Sequence, residues 1–582
     1  MFDLKILHGT IVDGSGNPSF SANIAVRDGR IVEIGPCDGP AAKTIDASGA
    51  LVTPGFVDLH CHYDGQVSWD ADLAPSSLHG VTTCLLGNCG VGFAPVRPSD
   101  RERLIALMEG VEDIPGSALS EGIRWRWSSF PEYMSAVDDF PHAIDFALQV
   151  PHDPLRVFVM GDRAIAGQDA TDEDIAQMRA LVQEALDAGA AGFTTGRSDN
   201  HRDRSGSPTP AAEASARELE GIAAAFQGRH RGILQAVSDF DMAAGDERFD
   251  PEYDVLERMA RAAGRPLALS LSQRDMAPEQ WRRILARSEA ARGQGLDVRV
   301  LVAPRGIGVM LGLEATFHPF MGFPSYKKIS HLPLAERVAA MRDPAFKARI
   351  LQEKSEKVSG DGSAIPPLAD MLLASLDFVS MRMFRLGERP DYEQPLDASL
   401  CAEAQRRGCS PLEAIYDAML EDEGHQLIYF PIFNYSGFNL DAVAEMLHHP
   451  QALPGLSDGG AHVGTICDAS FPTYLLAHWV RDRAQARFSI EHAVRMLTSD
   501  GARFLGLRDR GELRVGLRAD LNVIDLDHLA LLRPRLVHDL PGGGKRLLQD
   551  AIGYRATVVA GQIIAENGKL TGLRPGRLAR VS

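Results

Sequence analysis

His60 and His62 stand two residues apart in "TPGFVDLHCHYD", where an apolar run ends. Residues i and i+2 of a strand point to the same face, so this run presents two imidazoles side by side. That spacing suits a single metal ion. Cys61 faces the other way and reads as packing. Cys89 lies in "CLLGNCG", just past a second apolar run. A thiolate there could join the histidines as a ligand for a soft or borderline metal. It could equally be a small buried hydrophobe, the common fate of a free cysteine. Asp458, in "LPGLSDGGAH", sits beside two glycines that admit close approach. A carboxylate so placed can hold a metal and take a proton from water, or it can cap the next turn. His462, four residues on, is a candidate for contact with those ligands or with substrate. The chemistry this set allows is metal-assisted hydrolysis.

A His-x-His pair alone carries little weight. At the end of the first strand of a barrel, where active sites sit, it becomes a strong signal. The chain between the two ends does alternate strand-like and helical runs, the pattern of βαβ units and a parallel sheet. The strand candidates are "LVTPGFVDLH", "GVTTCLLG", "IDFALQV", "AAGFTTG", "GILQAVSD", "PLALSLSQ", "DVRVLVAP", "QLIYFPIF" and "LPGLSDGG". That is one more than an eight-stranded barrel needs, and the surplus is either "DVRVLVAP" or "QLIYFPIF". Residues 305–425, rich in Met, Pro and Phe, read as a long insertion over the barrel mouth, a lid. The Met- and Phe-containing run "VMLGLEATFHPFMGF" within it is expected to admit a bulky substituent. Residues 1–52 and 505–582 read as β, with turn signals at Asp13-Gly14, Asp28-Gly29 and Asn567-Gly568. Neither piece can bury a core alone, so the two are expected to pair into one domain beside a barrel spanning 53–504.

Composition narrows the function classes. The 582 residues are 45% hydrophobic and 24% charged, an ordinary globular balance. A net charge of -18 argues against a nucleic-acid partner, since such proteins usually carry a basic face. No run approaches the ~18 apolar residues of a membrane span, so no membrane partner is expected. The first residues lack the basic and apolar segments of a secretory signal. The seven cysteines are too irregular for a disulfide framework, and a cytoplasmic setting is expected. No Gly-x-Gly-x-x-Gly opens a helix, and "PGGGKR" lacks phosphate-loop spacing. The sequence leaves a homo-oligomer open.

"TPGFVDLHCHYD", "GVTTCLLGNCG", "GFTTGRS" and "GLSDGGAH" resemble the amidohydrolase superfamily, and within it the N-acyl-D-amino-acid deacylase branch. The resemblance runs nearly the whole length, including "GTIVDGSGNP", "GELRVGLRADLNVID" and "VVAGQII". It implies an α/β fold, a (β/α)8 TIM-type barrel with a small β-sandwich built from both chain ends. It implies that His60, His62, Cys89 and Asp458 are metal ligands and that Asp458 is also the general base. The reaction implied is hydrolysis of a non-peptide C–N bond in a small-molecule amide.

The sequence departs from the family at several points. The fourth strand lacks the lysine that many superfamily members carboxylate, and Cys89 matches the cysteine that the deacylase branch uses. That branch also draws one histidine from strand five and one from strand six. Here those strands offer Gln235 and Gln273, whose neutral amide oxygens are poor zinc ligands. One divalent ion per chain, zinc or another, is therefore expected, with the glutamines left to contact substrate. The family lysine shortly after strand six has no counterpart, Asp275 occupying that region, so a free carboxylate is not expected to be the main recognition handle. His152 after strand three, and Arg197 and His201 after strand four, are further candidates for lining the mouth. Rival readings are a lactone or cyclic imide hydrolase, and a barrel that has lost catalysis and binds a ligand.

Overall fold

Runs that are apolar on both faces build the inner wall of the molecule. Val81–Leu86 and Asp145–Pro151 are buried at every position, as strands of a parallel sheet covered on both sides must be. The computed structural model describes residues 1–240, 246–359 and 368–581. Its eight-stranded sheet runs β1 (Phe56–Asp58), β2 (Val81–Leu86), β3 (Asp145–Pro151), β4 (Gly192–Arg197), β5 (Ile233–Ser238), β6 (Leu267–Leu271), β7 (Val298–Val302) and β8 (Ala452–Pro454). Neighbours are parallel throughout and follow chain order.

The sheet closes just past the ends of β1 and β8. Cys61 and Gly459 form a parallel bridge, and the His62 N–H donates to the Gly459 carbonyl at 2.7 Å. Helices follow the strands: α1 (Arg101–Glu112), α2 (Asp172–Asp187), α3 (Ala216–Ala223), α4 (Phe249–Ala263), α5 (Gln280–Gly293) and α6 (Asp441–Leu447). In α2 the buried residues Ile175, Met178, Val182 and Leu186 recur at helical spacing, forming the stripe that meets the sheet. Its start is set by a capping box: Thr171 Oγ1 accepts from the Asp174 N–H, and the Asp174 carboxylate accepts from the Thr171 N–H.

The run "DVRVLVAP" supplies β7, so "QLIYFPIF" is the surplus strand. Ile428–Phe433 pairs antiparallel with Ile307–Leu311 and with Phe384–Arg385. An apolar run does not reveal its partner strand, and both candidates are apolar. This small sheet and the helices around it enclose a separate core that includes Leu313, Phe317, Phe320, Phe323, Tyr326 and Tyr416. The aromatic residues of "VMLGLEATFHPFMGF" therefore fill the insertion itself, against the expectation that they would receive a substituent at the mouth. Residues 360–367 of the insertion lie outside the described residues.

The chain ends do pair. Leu51–Pro54 lies antiparallel to Leu521–Ile524 within one nine-stranded sheet. Leu4, Ile6 and Val52 from one end share a core with Val523, Ala556 and Val558 from the other. Among the described residues, no helix is long and apolar enough to cross a membrane.

Candidate metal centre

His60 and His62 continue beyond β1 at the C-terminal rim of the barrel, and their Nε2 atoms lie 3.3 Å apart. Cys89 comes from the turn after β2. This turn is tight: Gly87, Cys89 and Gly90 all have positive φ, at 86°, 56° and 79°. A Cβ on Gly87 would meet the Gln149 carbonyl at 2.3 Å, and one on Gly90 would meet the Gly196 backbone nitrogen at 2.6 Å. Only glycine lets the turn lie this close to β3 and β4. The turn aims Sγ of Cys89 at Nε2 of His60, 3.3 Å away. One donor atom from each of His60, His62 and Cys89 falls within 4.8 Å of the others.

Asp458 arrives from the opposite side, on the loop after β8 and also with positive φ, at 48°. Its Oδ1 is 3.4 Å from Nε2 of His60 and 3.9 Å from Nε2 of His62. Non-glycine residues held at positive φ cost free energy and collect at functional sites. Below the donors, Asp58 accepts from the His60 N–H at 3.2 Å and from the Ser457 hydroxyl at 2.5 Å, bracing β1 against the last loop. Cys61 lies under the site against Ser457, not in it.

The electrostatics fit a cation. Burial pushes the Asp458 carboxyl up to about 8, with Asp468 and Asp58 adding to the effect. Burial holds His60 down at about 3 and His62 well below the imidazole range. Burial also drives the Cys89 thiol up, reinforced by Glu112 and Asp458. Burial leaves His60 and His62 in the neutral form that ligates a metal, while a divalent ion would favour the ionised forms of Asp458 and Cys89 that burial disfavours. The set of two imidazoles, a thiol and a carboxylate is one that zinc accepts.

The remaining residues are placed unevenly. His201 lies close enough to disfavour protonation of His60, His62 and His462, and burial holds it at about 4. Its Nδ1 is buried with no hydrogen-bond partner among the described residues. His462 approaches the site through Glu112, whose Oε2 is 3.6 Å from Nε2 of His462.

His152 and Arg197 do not fit the expected role at the mouth. His152 is fully buried, with Nδ1 against Thr195 Oγ1 and Nε2 against Glu218 Oε1, both at 2.9 Å. Neither ring nitrogen is left for a substrate. Arg197 grips Glu252 through Nε and Nη2 at 2.5 and 2.9 Å and gives Nη1 to the Ala214 carbonyl. Gln235 donates to the Leu59 carbonyl at 3.0 Å and accepts from Gln149 at 2.8 Å, inside the barrel. Gln149 in turn donates to Asn88, which donates to the Cys61 carbonyl. Gln273 accepts from the Ser436 N–H, tying β6 to the chain that leaves the insertion.

Glu112 is the residue that sequence reasoning missed. It ends α1, is 2% exposed, and places Oε1 3.3 Å from Nδ1 of His62. One signal was available: an acidic residue in the last turn of a helix opposes the helix dipole and calls for a compensating partner.

The chain belongs to the amidohydrolase family, whose model matches residues 43–565. It falls in the D-aminoacylase-like branch. The D-aminoacylase of Alcaligenes xylosoxydans xylosoxydans is 28% identical over all of this chain and 98% of its own. A D-aminoacylase structure with a binuclear metal centre superposes with a TM-score of 0.64, at 25% identity and over 99% of each chain. The N-acyl-D-glutamate deacylase of Bordetella bronchiseptica, complexed with zinc and a phosphonate mimic of the tetrahedral intermediate, gives 0.62 at 25% identity, over 100% of this chain and 99% of its own. The protein is thus a metal-dependent hydrolase of carbon–nitrogen bonds other than peptide bonds.

Proposed function

We propose that the protein hydrolyses the amide of a small N-acylated amino-acid derivative, using one divalent ion held by His60, His62, Cys89 and Asp458. The observation that carries this reading is the convergence of these four side chains, from both ends of the barrel sheet, on one buried point. When bound, the ion supplies Lewis-acid polarisation of the scissile carbonyl and lowers the pKa of water. Asp458 accepts the proton of the attacking water at its carboxylate. As the new C–O bond forms and the C–N bond breaks, Asp458 returns that proton to the leaving nitrogen. His60 and His62 are buried and held neutral, so they serve as ligands and not as acids.

Gln235 supports a single ion: its amide already bonds Leu59 and Gln149, and its neutral oxygen is a poor zinc ligand beside His or Cys. The D-aminoacylase with a binuclear centre is described as activated by one metal and attenuated by a second, which supports a one-ion catalyst in this branch. A cytoplasmic setting belongs to the same reading and rests on seven cysteines with no disulfide among them. The test is a screen of N-acyl amino acids of both hands, their esters and their amides against chelator-stripped and zinc-reloaded protein. Amine release only after reloading supports the proposal. Turnover of lactones or cyclic imides in place of open amides would overturn it.

A further inference from the structure

Nε2 of His62 faces Nε2 of His60 and the Asp458 carboxylate, so its other nitrogen, Nδ1, looks out of the ligand cluster. There it meets Oε1 of Glu112 at 3.3 Å. Both atoms are buried and neither makes a hydrogen bond among the described residues, so each is the other's nearest polar partner without yet being bonded to it. The second oxygen of Glu112 is 3.6 Å from Nε2 of His462, a ring that is 26% exposed on the loop carrying Asp458. The backbone repeats the link, because the His462 N–H donates to the Glu112 carbonyl. The next residue, Asp113, accepts from the Thr465 hydroxyl at 2.8 Å. The end of α1 thus holds the loop after β8 through one backbone bond to His462 and one side-chain bond to Thr465, with the Glu112 carboxylate facing the His462 ring.

A histidine that binds an ion through Nε2 carries its proton on Nδ1, and metal-ligating histidines almost always donate that proton to a carboxylate, carbonyl or water. The acceptor at hand for His62 is Glu112. A buried carboxylate at a helix C-terminus has the dipole against it, and the imidazole nitrogens at 3.3 and 3.6 Å are the groups placed to compensate it. We propose that Glu112 is a positioning residue that joins His62 to His462. It accepts the Nδ1 proton of His62, which turns Nε2 toward the ion, and it holds the His462 ring at the mouth of the site. The inference rests on the reading of His60, His62, Cys89 and Asp458 as the ligands.

The test measures zinc affinity by competition with a chromophoric chelator, and the cobalt(II) absorption spectrum, for the wild type, E112Q and E112D. Neither readout needs a substrate. E112Q keeps the shape but loses the charged acceptor, and its zinc affinity is expected to fall about 10–100-fold with a shifted cobalt spectrum. E112D keeps the charge but draws the oxygens back, and an intermediate loss is expected. Metal-free melting midpoints should stay near that of the wild type, while the rise on adding zinc shrinks in step with affinity. Wild-type affinity and spectrum in both variants would overturn the proposal. So would failure of both variants to fold without zinc, which would make Glu112 part of the framework. A wild type that binds no zinc would instead overturn the ligand reading itself.

Discussion

Asp458 donates its backbone N–H to the His60 carbonyl at 3.1 Å and brings its Oδ1 to 3.4 Å from Nε2 of the same histidine. The contact that closes the barrel between β1 and β8 is therefore also the contact that assembles the metal site. Residues nearly 400 positions apart become neighbours because a closed parallel sheet must return its last strand to its first.

That arrangement separates the roles of two ligands. Asp458→Asn removes the proton acceptor but leaves His60, His62 and Cys89, so zinc is partly retained. Turnover falls about 10²–10⁴-fold, the usual cost of losing a positioned base, and added zinc does not restore it. Cys89→Ala lowers zinc occupancy, and excess zinc recovers part of its activity. Turnover of both variants against added zinc is the measurement. Near-normal turnover in Asp458→Asn would reduce that residue to a turn cap, and full occupancy in Cys89→Ala would make the thiol mere packing.

Asp275, in the region after β6 where the family resemblance leads one to expect a lysine, bears on substrate choice. Its carboxylate pairs with Arg382 of the insertion and accepts from the Ser436 hydroxyl at 2.6 Å. An anionic, already paired group offers nothing to a substrate carboxylate. Esters and amides of N-acyl amino acids should be turned over at least as well as the free acids. A strong preference for N-acetyl-D-amino acids would contradict this and would require a cation elsewhere.

Arg305, fully buried, donates to Asp468 at 2.8 Å and lies over the Tyr392 ring at 3.7 Å, tying the insertion to the barrel. Removing one partner of a buried pair leaves the other charge uncompensated. Arg305→Met should cost about 3–5 kcal/mol, and Arg305→Met with Asp468→Leu distinctly less. Urea unfolding of the single and double variants reads the difference. A double variant as destabilised as the single, or more, would contradict this, because the loss would then not come from the stranded Asp468 charge.

How much of this was legible in the sequence varies with the range of the interaction. The barrel strands were readable because two-sided burial demands unbroken apolar runs, and His60 and His62 because their spacing matches a strand. The fate of His152 and Arg197 was not, because Glu218 and Glu252, which consume their nitrogens, lie 66 and 55 residues away. The same holds for "QLIYFPIF", whose longer antiparallel partner, Ile307–Leu311, lies more than a hundred residues upstream. Glu112 escaped because a helix-end carboxylate acquires meaning only once the fold sets it against His62.

Glu393 gives the fold a pH dependence. Burial tends to raise its carboxyl, but bonds from His478 at 2.7 Å and from Arg483 outweigh that and hold it at about 2, below the unfolded value of 4.5. A depressed carboxyl stabilises the folded state above the unfolded pKa, and that contribution fades as pH falls from about 4.5 toward 2. Glu393→Gln should therefore lose about 1–3 kcal/mol at pH 7 and converge with the wild type in acid. Urea midpoints at the two ends of that range test it, and a gap independent of pH would contradict it.

The most direct test of the account is elemental analysis of the wild type and of His60→Ala/His62→Ala after exhaustive dialysis against metal-free buffer. One complete set of four donors, and a Gln235 bound up in its own amide network, predict about one divalent ion per wild-type chain and little in the double variant. Two ions per wild-type chain, or the same content in both proteins, would contradict it.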